Sequence, residues 1–341
     1  MVLEGSVPAR GLVPDELDIA ILQEMYRAGA VNLAGIDPRL NASRVAQSLG
    51  IGRARVAARL RAWRSSGFLR KYDVWPNPAL LGLQGASVSV RVEHPRVKPD
   101  LIGRLALVDG VVSALEFQGE WITLSIIAPD VPSLERRAAL IRSFAGVAEV
   151  EAPIPWRLPE PTRPLTPLEL RIVGALRARP TATLNEIARQ IGISTRTMTR
   201  KYSDLVDQLA VWFLPVFDFR AISNAVLSLN LRLRPGTERR SIAAALRAKF
   251  PLTLDGNSAS VGPAFGVPDT IFFVTLSSAA QMEDLERLAE SLPGVEGVEL
   301  YHLVRMHEFP EWFDRQLRGL IRAAPSATDR SPPGGARNRG R

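Results

Sequence analysis

The 341-residue sequence contains no cysteine. Disulfide frameworks, thiolate zinc sites, iron–sulfur clusters and thiol nucleophiles are therefore excluded. Histidine is nearly as scarce, at three residues, which leaves little for a metal centre. Lysine is confined to Lys71, Lys98, Lys201 and Lys249, so arginine supplies almost all of the positive charge. No stretch approaches the roughly 18 uninterrupted apolar residues of a membrane span. The opening MVLEGSVPARGLVPDELD has no apolar core fit for a signal peptide, so the expected location is cytoplasmic. Walker, GxGxxG, GxSxG and HExxH patterns are missing as well, and with them the usual signals of phosphate cradles, hydrolases and zinc proteases.

What is present describes an ordinary globular chain, with 46% apolar and 23% charged residues. Length favours two or three domains. The formal charge of +8 favours a polyanionic partner, nucleic acid foremost. An arginine skew can also reflect codon bias alone, so the position of the arginines matters more than their number.

The chain reads as one unit written twice. ASRVAQSLGIGRARVAARL (42–60) lies over LNEIARQIGISTRTMTRKY (184–202), with Ala46 on Ala188, Gly50 on Gly192 and Ile51 on Ile193. Further along, SVSVRV (87–92) matches SLNLRL (228–233), and GVAEVE (146–151) matches GVEGVE (294–299), in the same order. The seam, PIPWRLPEPTRPLTP (153–167), holds six prolines and predicts an extended linker. In each copy a helix comes first, marked by Leu17, Ile21, Leu22 and Met25 or by Leu168, Ile172, Val173 and Leu176. Thr166 before Pro167 suits a helix start. A short helix follows, ended by Gly50 or Gly192, and a third helix begins at once, with Ser194 a better N-cap than Gly52. The period then changes to alternation. The remaining order predicts β-α-β-β-α-β, the ferredoxin-like arrangement, in each copy. The final SPPGGARNRGR is low in complexity and predicts disorder.

Short helix, glycine turn and third helix make a helix-turn-helix pattern. Val56, Leu60 and Trp63 form the buried stripe of the first third helix, and Met198, Tyr202 and Leu205 that of the second. Residues 39–71 hold eight arginines and Lys71 with no acid, an imbalance that suits phosphates. The second unit is less basic, with four cations against three acids over 183–213. The DNA-facing residues expected are Arg53, Ala54, Arg55, Ala58, Arg59 and Arg61 in the first copy, and Thr195, Arg196, Thr197, Arg200 and Lys201 in the second. Arginine reads guanine edges, hydroxyls read several acceptors and alanine suits a thymine methyl. A solvated helix face is the plainer alternative for the arginines.

Residues 15–75 and 165–215 resemble the winged helix-turn-helix of the Lrp/AsnC transcription regulators. The likeness lies in the start Leu17–Leu22, in the runs Val45–Ile51 and Ile187–Ile193, and in the close Arg59–Leu69 with Trp63, Gly67 and Phe68. The resemblance implies an α+β chain of two winged helix-turn-helix domains alternating with two ferredoxin-like (βαββαβ) domains. The expected division is a first winged unit at 1–82, a first ligand-binding ferredoxin-like unit at 83–157 and a proline-rich linker at 158–163. A second winged unit follows at 164–223, a second ferredoxin-like unit at 224–308, and a C-terminal helix with a disordered basic tail at 309–341. Family members usually carry one unit and dimerise, which implies a covalent pseudo-dimer here, open to further self-association, with double-stranded DNA as partner. EFQGEWITL (116–124) resembles the effector-facing strand–turn–strand. Gly119, Glu120, Trp121 and Thr123 are the expected ligand contacts, with an amino acid the implied effector class. A tight hairpin at Gly119 and plain packing of Trp121 would explain the same residues. Two departures stand out: the long stretch 28–41 between the first two helices, and GPAFGVPD (262–269) interrupting the second strand–turn–strand.

His302 and His307 are five apart on an expected strand, which predicts opposite faces and a poor metal pair. No metal, cofactor or catalytic residue is therefore expected, and the chain reads as a regulator rather than an enzyme. Two alternatives remain. Some proteins of this architecture are sirohaem decarboxylases, for which Tyr301, His302 and Arg305 would have to line a tetrapyrrole pocket. An effector-free DNA-organising protein is the other.

Overall fold

The computed structural model describes residues 12–32, 41–156, 158, 162–255, 270–276, 278 and 280–323. It is a mixed chain of helices and antiparallel sheet. Three helices come first, α1 (Glu16–Asn32), α2 (Asn41–Ser48) and α3 (Arg53–Ser65), then β1 (Leu69–Pro76). The order continues through β2 (Gln84–Val92), α4 (Lys98–Leu105), β3 (Val111–Phe117), β4 (Trp121–Ala128), α5 (Val131–Arg142), β5 (Val147–Val150) and β6 (Ile154–Pro155). A second trio follows, α6 (Pro167–Ala178), α7 (Leu184–Ile191) and α8 (Thr195–Asp207), then β7 (Val211–Phe217). The rest is β8 (Ala225–Leu233), α9 (Arg239–Lys249), β9 (Thr253–Asp255), β10 (Thr270–Leu276), α10 (Ala280–Ser291), β11 (Val295–Glu308) and α11 (Glu311–Ala323).

Local chemistry sets these boundaries. Thr166 and Glu169 form a capping box at the start of α6 with Pro167 in the first turn, and Thr183 and Glu186 do the same for α7. Gly192, which follows α7, and Gly50 in the equivalent turn after α2 take φ of 75° and 63°, a region cheap only for glycine. Ser194 caps α8 by accepting from the Thr197 amide, whereas Gly52 offers α3 no side-chain cap. The stretch after α1 departs from expectation, since helix continues through Asn32. The interruption at 262–269 and the tail beyond Ala323 lie outside the described residues.

Two sheets organise the chain. One has nine strands, eight of them running β5-β2-β4-β3-β11-β8-β10-β9, with β6 also on β2. β11 is long because it serves both halves: Val295–His302 pair with β8, and Leu303–Glu308 pair with β3. The other sheet is a two-stranded antiparallel ribbon of β1 and β7. This differs from the wing expected inside each copy. Each strand after a third helix finds its partner in the other half, and both strands are buried along most of their length.

One face of the large sheet is covered by α4 and α5 over Val88, Val90, Ile122 and Leu124, and by α9 and α10 over Leu227, Leu229 and Val274. The opposite face takes the first trio, whose Met25, Val56, Leu60 and Trp63 share a core with Phe117, Phe217, Phe273 and Leu303. The second trio packs on Val74 and Phe213 of the ribbon and on Leu317 of α11. Trp312 and Phe313 of α11 fill the space against Val112 and Ile127. Arg177 of α6 ties these pieces together. It donates to the Val74 carbonyl at 2.6 Å, pairs with Asp73 and Asp314, and lies 4.7 Å from the centre of the Trp75 ring. None of the described helices is long and apolar enough to cross a membrane.

Gly110 turns into β3 with φ +88°, and a Cβ there would press into the Ile127 carbonyl oxygen. Gly110→Ala should cost roughly 2 kcal/mol or more in urea unfolding, the left-handed backbone alone accounting for 1–2. Gly103 lies within α4 with nothing near its missing Cβ, so Gly103→Ala should be neutral or add about 0.5–1 kcal/mol.

Candidate nucleic-acid interface and ligand cleft

The apolar stripes predicted for the third helices are buried: Val56, Leu60 and Trp63 in α3, and Met198, Tyr202 and Leu205 in α8. The opposite faces follow from helical period. Arg53, Ala54, Arg55, Ala58 and Arg61 are exposed on α3, and Thr195, Arg196 and Arg200 on α8. Thr195 Oγ1 donates to Asn185 at 2.9 Å, and half-buried Thr197 gives its amide to the Ser194 cap at 3.1 Å.

Two of the expected DNA contacts turn inward. Arg59 pairs with Asp15 and Asp18 at the start of α1. Lys201 pairs with Glu169 at 3.0 Å, at the start of α6. Asp18 and Glu169 are fully buried, at 0% exposure, whereas Asp15 is exposed. Burial disfavours the Glu169 carboxylate, but hydrogen bonds from Arg163, Thr166 and Lys201 outweigh it and hold its pKa far below the ordinary value. For Asp18 burial prevails, and its pKa rises despite the Asp15 amide, the Trp63 indole and Arg59. An acid three residues after a capping residue was readable in the sequence; its reach to a third helix was not.

The expected ligand residues divide between the turn and the strand that follows it. Gly119, at φ +82° with open space beside it, lines a cleft of about 560 Å³. Glu120 is exposed, and Trp121 and Thr123 lie outside the cleft; Trp121 packs edge-on against Tyr301 at 6.4 Å. The remaining walls come mostly from the second half: Ser223, Asn224, Leu227, Leu276, Met282 and His302, joined by Gln118 of the first. Apolar floor and polar rim suit a small ligand with one charged or hydrogen-bonding end. Lys98 holds the turn from behind, its buried ammonium donating to the carbonyls of Phe117 and Trp121. Burial draws the Lys98 pKa down, while Glu116 and Glu120 partly restore it.

The histidines also differ from expectation. A bulge between Leu303 and Arg305 adds one residue to β11. His302 stands opposite Leu227 and His307 opposite Ala114, both on the α4–α5 and α9–α10 side. The five-residue spacing thus brings them to one face rather than two. His302 Nδ1 lies 2.9 Å from Gln118, and His307 Nε2 lies 2.9 Å from Glu116.

No family model matches the chain, and no curated protein matches it. Solved structures do. The siroheme decarboxylase NirDL is similar at a TM-score of 0.49 and 16% identity, over 91% of this chain and 99% of its own. AsnC of E. coli is similar at 0.30 and 17%, over 45% of this chain and 99% of its own. A transcriptional regulator of Neisseria meningitidis in complex with L-Met is similar at 0.29 and 15%, over 41% and 90%. The neighbours thus include Lrp/AsnC-type regulators, each over less than half of the chain, and an enzyme over nearly all of it. The expectation that the chain is not an enzyme is overturned by that full-length neighbour.

The depressed pKa of Glu169 has a consequence for stability. Its contribution is complete above the ordinary glutamate value of 4.5 and is lost as pH falls below it toward the folded value. Glu169→Gln should lower stability at pH 7 by about 2 kcal/mol, the scale of a charged hydrogen bond. The gap between variant and wild type should narrow steadily as urea unfolding is repeated below pH 4.5.

Proposed function

We propose that the chain is a sequence-specific, DNA-binding transcription regulator of Lrp/AsnC type. In this reading the two helical trios are winged helix-turn-helix units, the two βαββαβ units are sensory, and the whole is a covalent pseudo-dimer working in the cytoplasm. One observation carries it. Arg53, Arg55 and Arg61 on α3, and Arg196 and Arg200 on α8, are exposed and have no ion-pair partner among the described residues. Guanidinium groups left open on a helix of this width suit phosphates and guanine edges in a major groove. The faces are unequal, since Ala54 and Ala58 stand where the second trio has Arg196 and Arg200. An asymmetric operator follows, one half tolerant of thymine and the other of guanine.

The cleft at Gly119 is the proposed effector site. Its walls come from both halves, so a ligand would act by favouring one placement of the halves, provided it binds the two placements unequally. An amino acid is the first class to examine, its side chain over Leu227, Leu276 and Met282 and its charged groups at the polar rim. A second reading makes the same cleft the site of an enzyme acting on a carboxylated tetrapyrrole, and His302 on its wall beside Tyr301 favours it. Absorbance titration with sirohaem separates the two.

Two outcomes are expected. Arg55→Ala with Arg61→Ala should weaken binding to genomic fragments captured by the wild type, and should flatten the salt dependence by about one unit per lost phosphate contact. Unchanged affinity in the folded double variant would remove α3 from the interface. Calorimetric titration with the common amino acids should find a ligand whose binding is lost in Gly119→Val, since the turn needs positive φ. Undiminished binding by that variant would place the ligand elsewhere.

A further inference from the structure

The carboxylates beneath the third helices have more acceptor capacity than a helix cap uses. Asp18 and Glu169 are the third residues of α1 and α6. The Asp15 amide donates to Asp18 Oδ2 at 3.0 Å, and the Asp18 amide donates back to Asp15 Oδ1 at 3.0 Å. Thr166 and Glu169 exchange the same pair of bonds at 2.8 and 3.3 Å. An ionised carboxylate has about four acceptor positions, and the cap takes one. The others go to the third helix and its surroundings. Asp18 accepts from Arg59 at 3.3 Å and from Trp63 Nε1 at 2.9 Å. Glu169 accepts from Lys201 at 3.0 Å and from both terminal nitrogens of Arg163 at 2.7 and 2.8 Å.

The geometry is the same in both trios although the chemistry is not. Arg59 is the seventh residue of α3 and Lys201 the seventh of α8. One site uses Asp, Arg and Trp, the other Glu, Lys and Arg. Agreement of position across unlike residues points to a required placement rather than a chance ion pair.

That placement concerns rotation. A helix held only by an apolar stripe can turn a little about its axis at small cost, because apolar contact is non-directional. A charge-assisted bond at mid-helix is directional and resists the turn. It also holds back a cation, since Arg59 lies beside exposed Ala58 and Lys201 beside exposed Arg200.

We infer that Asp18 and Glu169 are positioning residues for DNA recognition: each fixes the rotation of its third helix and withholds Arg59 or Lys201 from the phosphates. This rests on the DNA-binding reading above. Arg59 and Lys201 then contribute to specificity without touching the duplex.

The test uses the full chain, a long mixed-sequence duplex and the duplex it captures best from a random pool. Arg59→Met and Lys201→Met keep most of the stem and remove the charge. Each should leave the salt dependence on the mixed duplex unchanged while cutting the preference for the captured duplex about tenfold. Glu169→Gln, and Asp18→Asn combined with Asp15→Asn because Asp15 also holds Arg59, should steepen the salt dependence by about one unit as the freed cation reaches a phosphate. A salt dependence that flattens by about one unit in Arg59→Met would make Arg59 a phosphate contact and overturn the inference. So would variants that melt earlier yet keep both preference and salt dependence, which is the behaviour of a cap alone. If Asp18→Asn fails to fold, the Met variants decide the matter. Wild-type protein that binds neither duplex overturns the DNA-binding reading and this inference together; wild-type binding with unresponsive variants overturns this inference only.

Discussion

The antiparallel register of β1 on β7 fixes where both helical trios stand. Asp73 lies opposite Leu214 and Pro76 opposite Val211, and only three residues separate α3 from β1 and α8 from β7. A one-residue slip would turn every side chain of a strand to the other face. Phe217 would leave the core beneath the first trio, and Val74 the core beneath the second. Two apolar cores therefore hold the register, and the register in turn holds α3 and α8 in one frame. The shared strand β11 does the same for the large sheet, pairing with β8 along its first part and β3 along its second.

Within that frame the trios are docked by different means. The first rests directly on the large sheet through Met25, Trp63 and Phe273, and Gln23 donates to the Thr253 carbonyl at 2.9 Å. The second reaches the sheet through α11, and Arg177 bridges α6, β1 and α11. Gly174 permits this, because a Cβ there would meet Ile321 of α11. Three hydrogen bonds and the Trp75 ring offset the desolvation of the buried Arg177 guanidinium, whereas removing one partner would leave that cost less compensated. The unequal outward faces of α3 and α8 thus sit on unequal mounts.

Local physics made much of this legible in the sequence. Helix caps at Thr166 and Ser194, glycine turns at Gly50 and Gly192, and the stripes ending in Trp63 and Leu205 all depend on near neighbours. What depends on distant partners was hidden. Nothing in β1 names β7, and alternation alone could not foresee the bulge that brings His302 and His307 to one face. Arg59 and Lys201 looked outward because each borders the outward face, and only the fold brings Asp18 and Glu169 beneath them. Of the ligand residues, Gly119 reached the cleft because a turn can serve both faces, while Trp121 and Thr123 followed the strand to the other side.

Hydroxyl-radical footprinting of a single chain on a captured genomic fragment bears most directly on the central claim that one rigid chain presents two recognition helices to one duplex. Two protected stretches on the same face of the DNA are expected, separated by about one or two helical turns and differing in base preference. A single protected stretch, or two that vary in spacing from fragment to fragment, would contradict it.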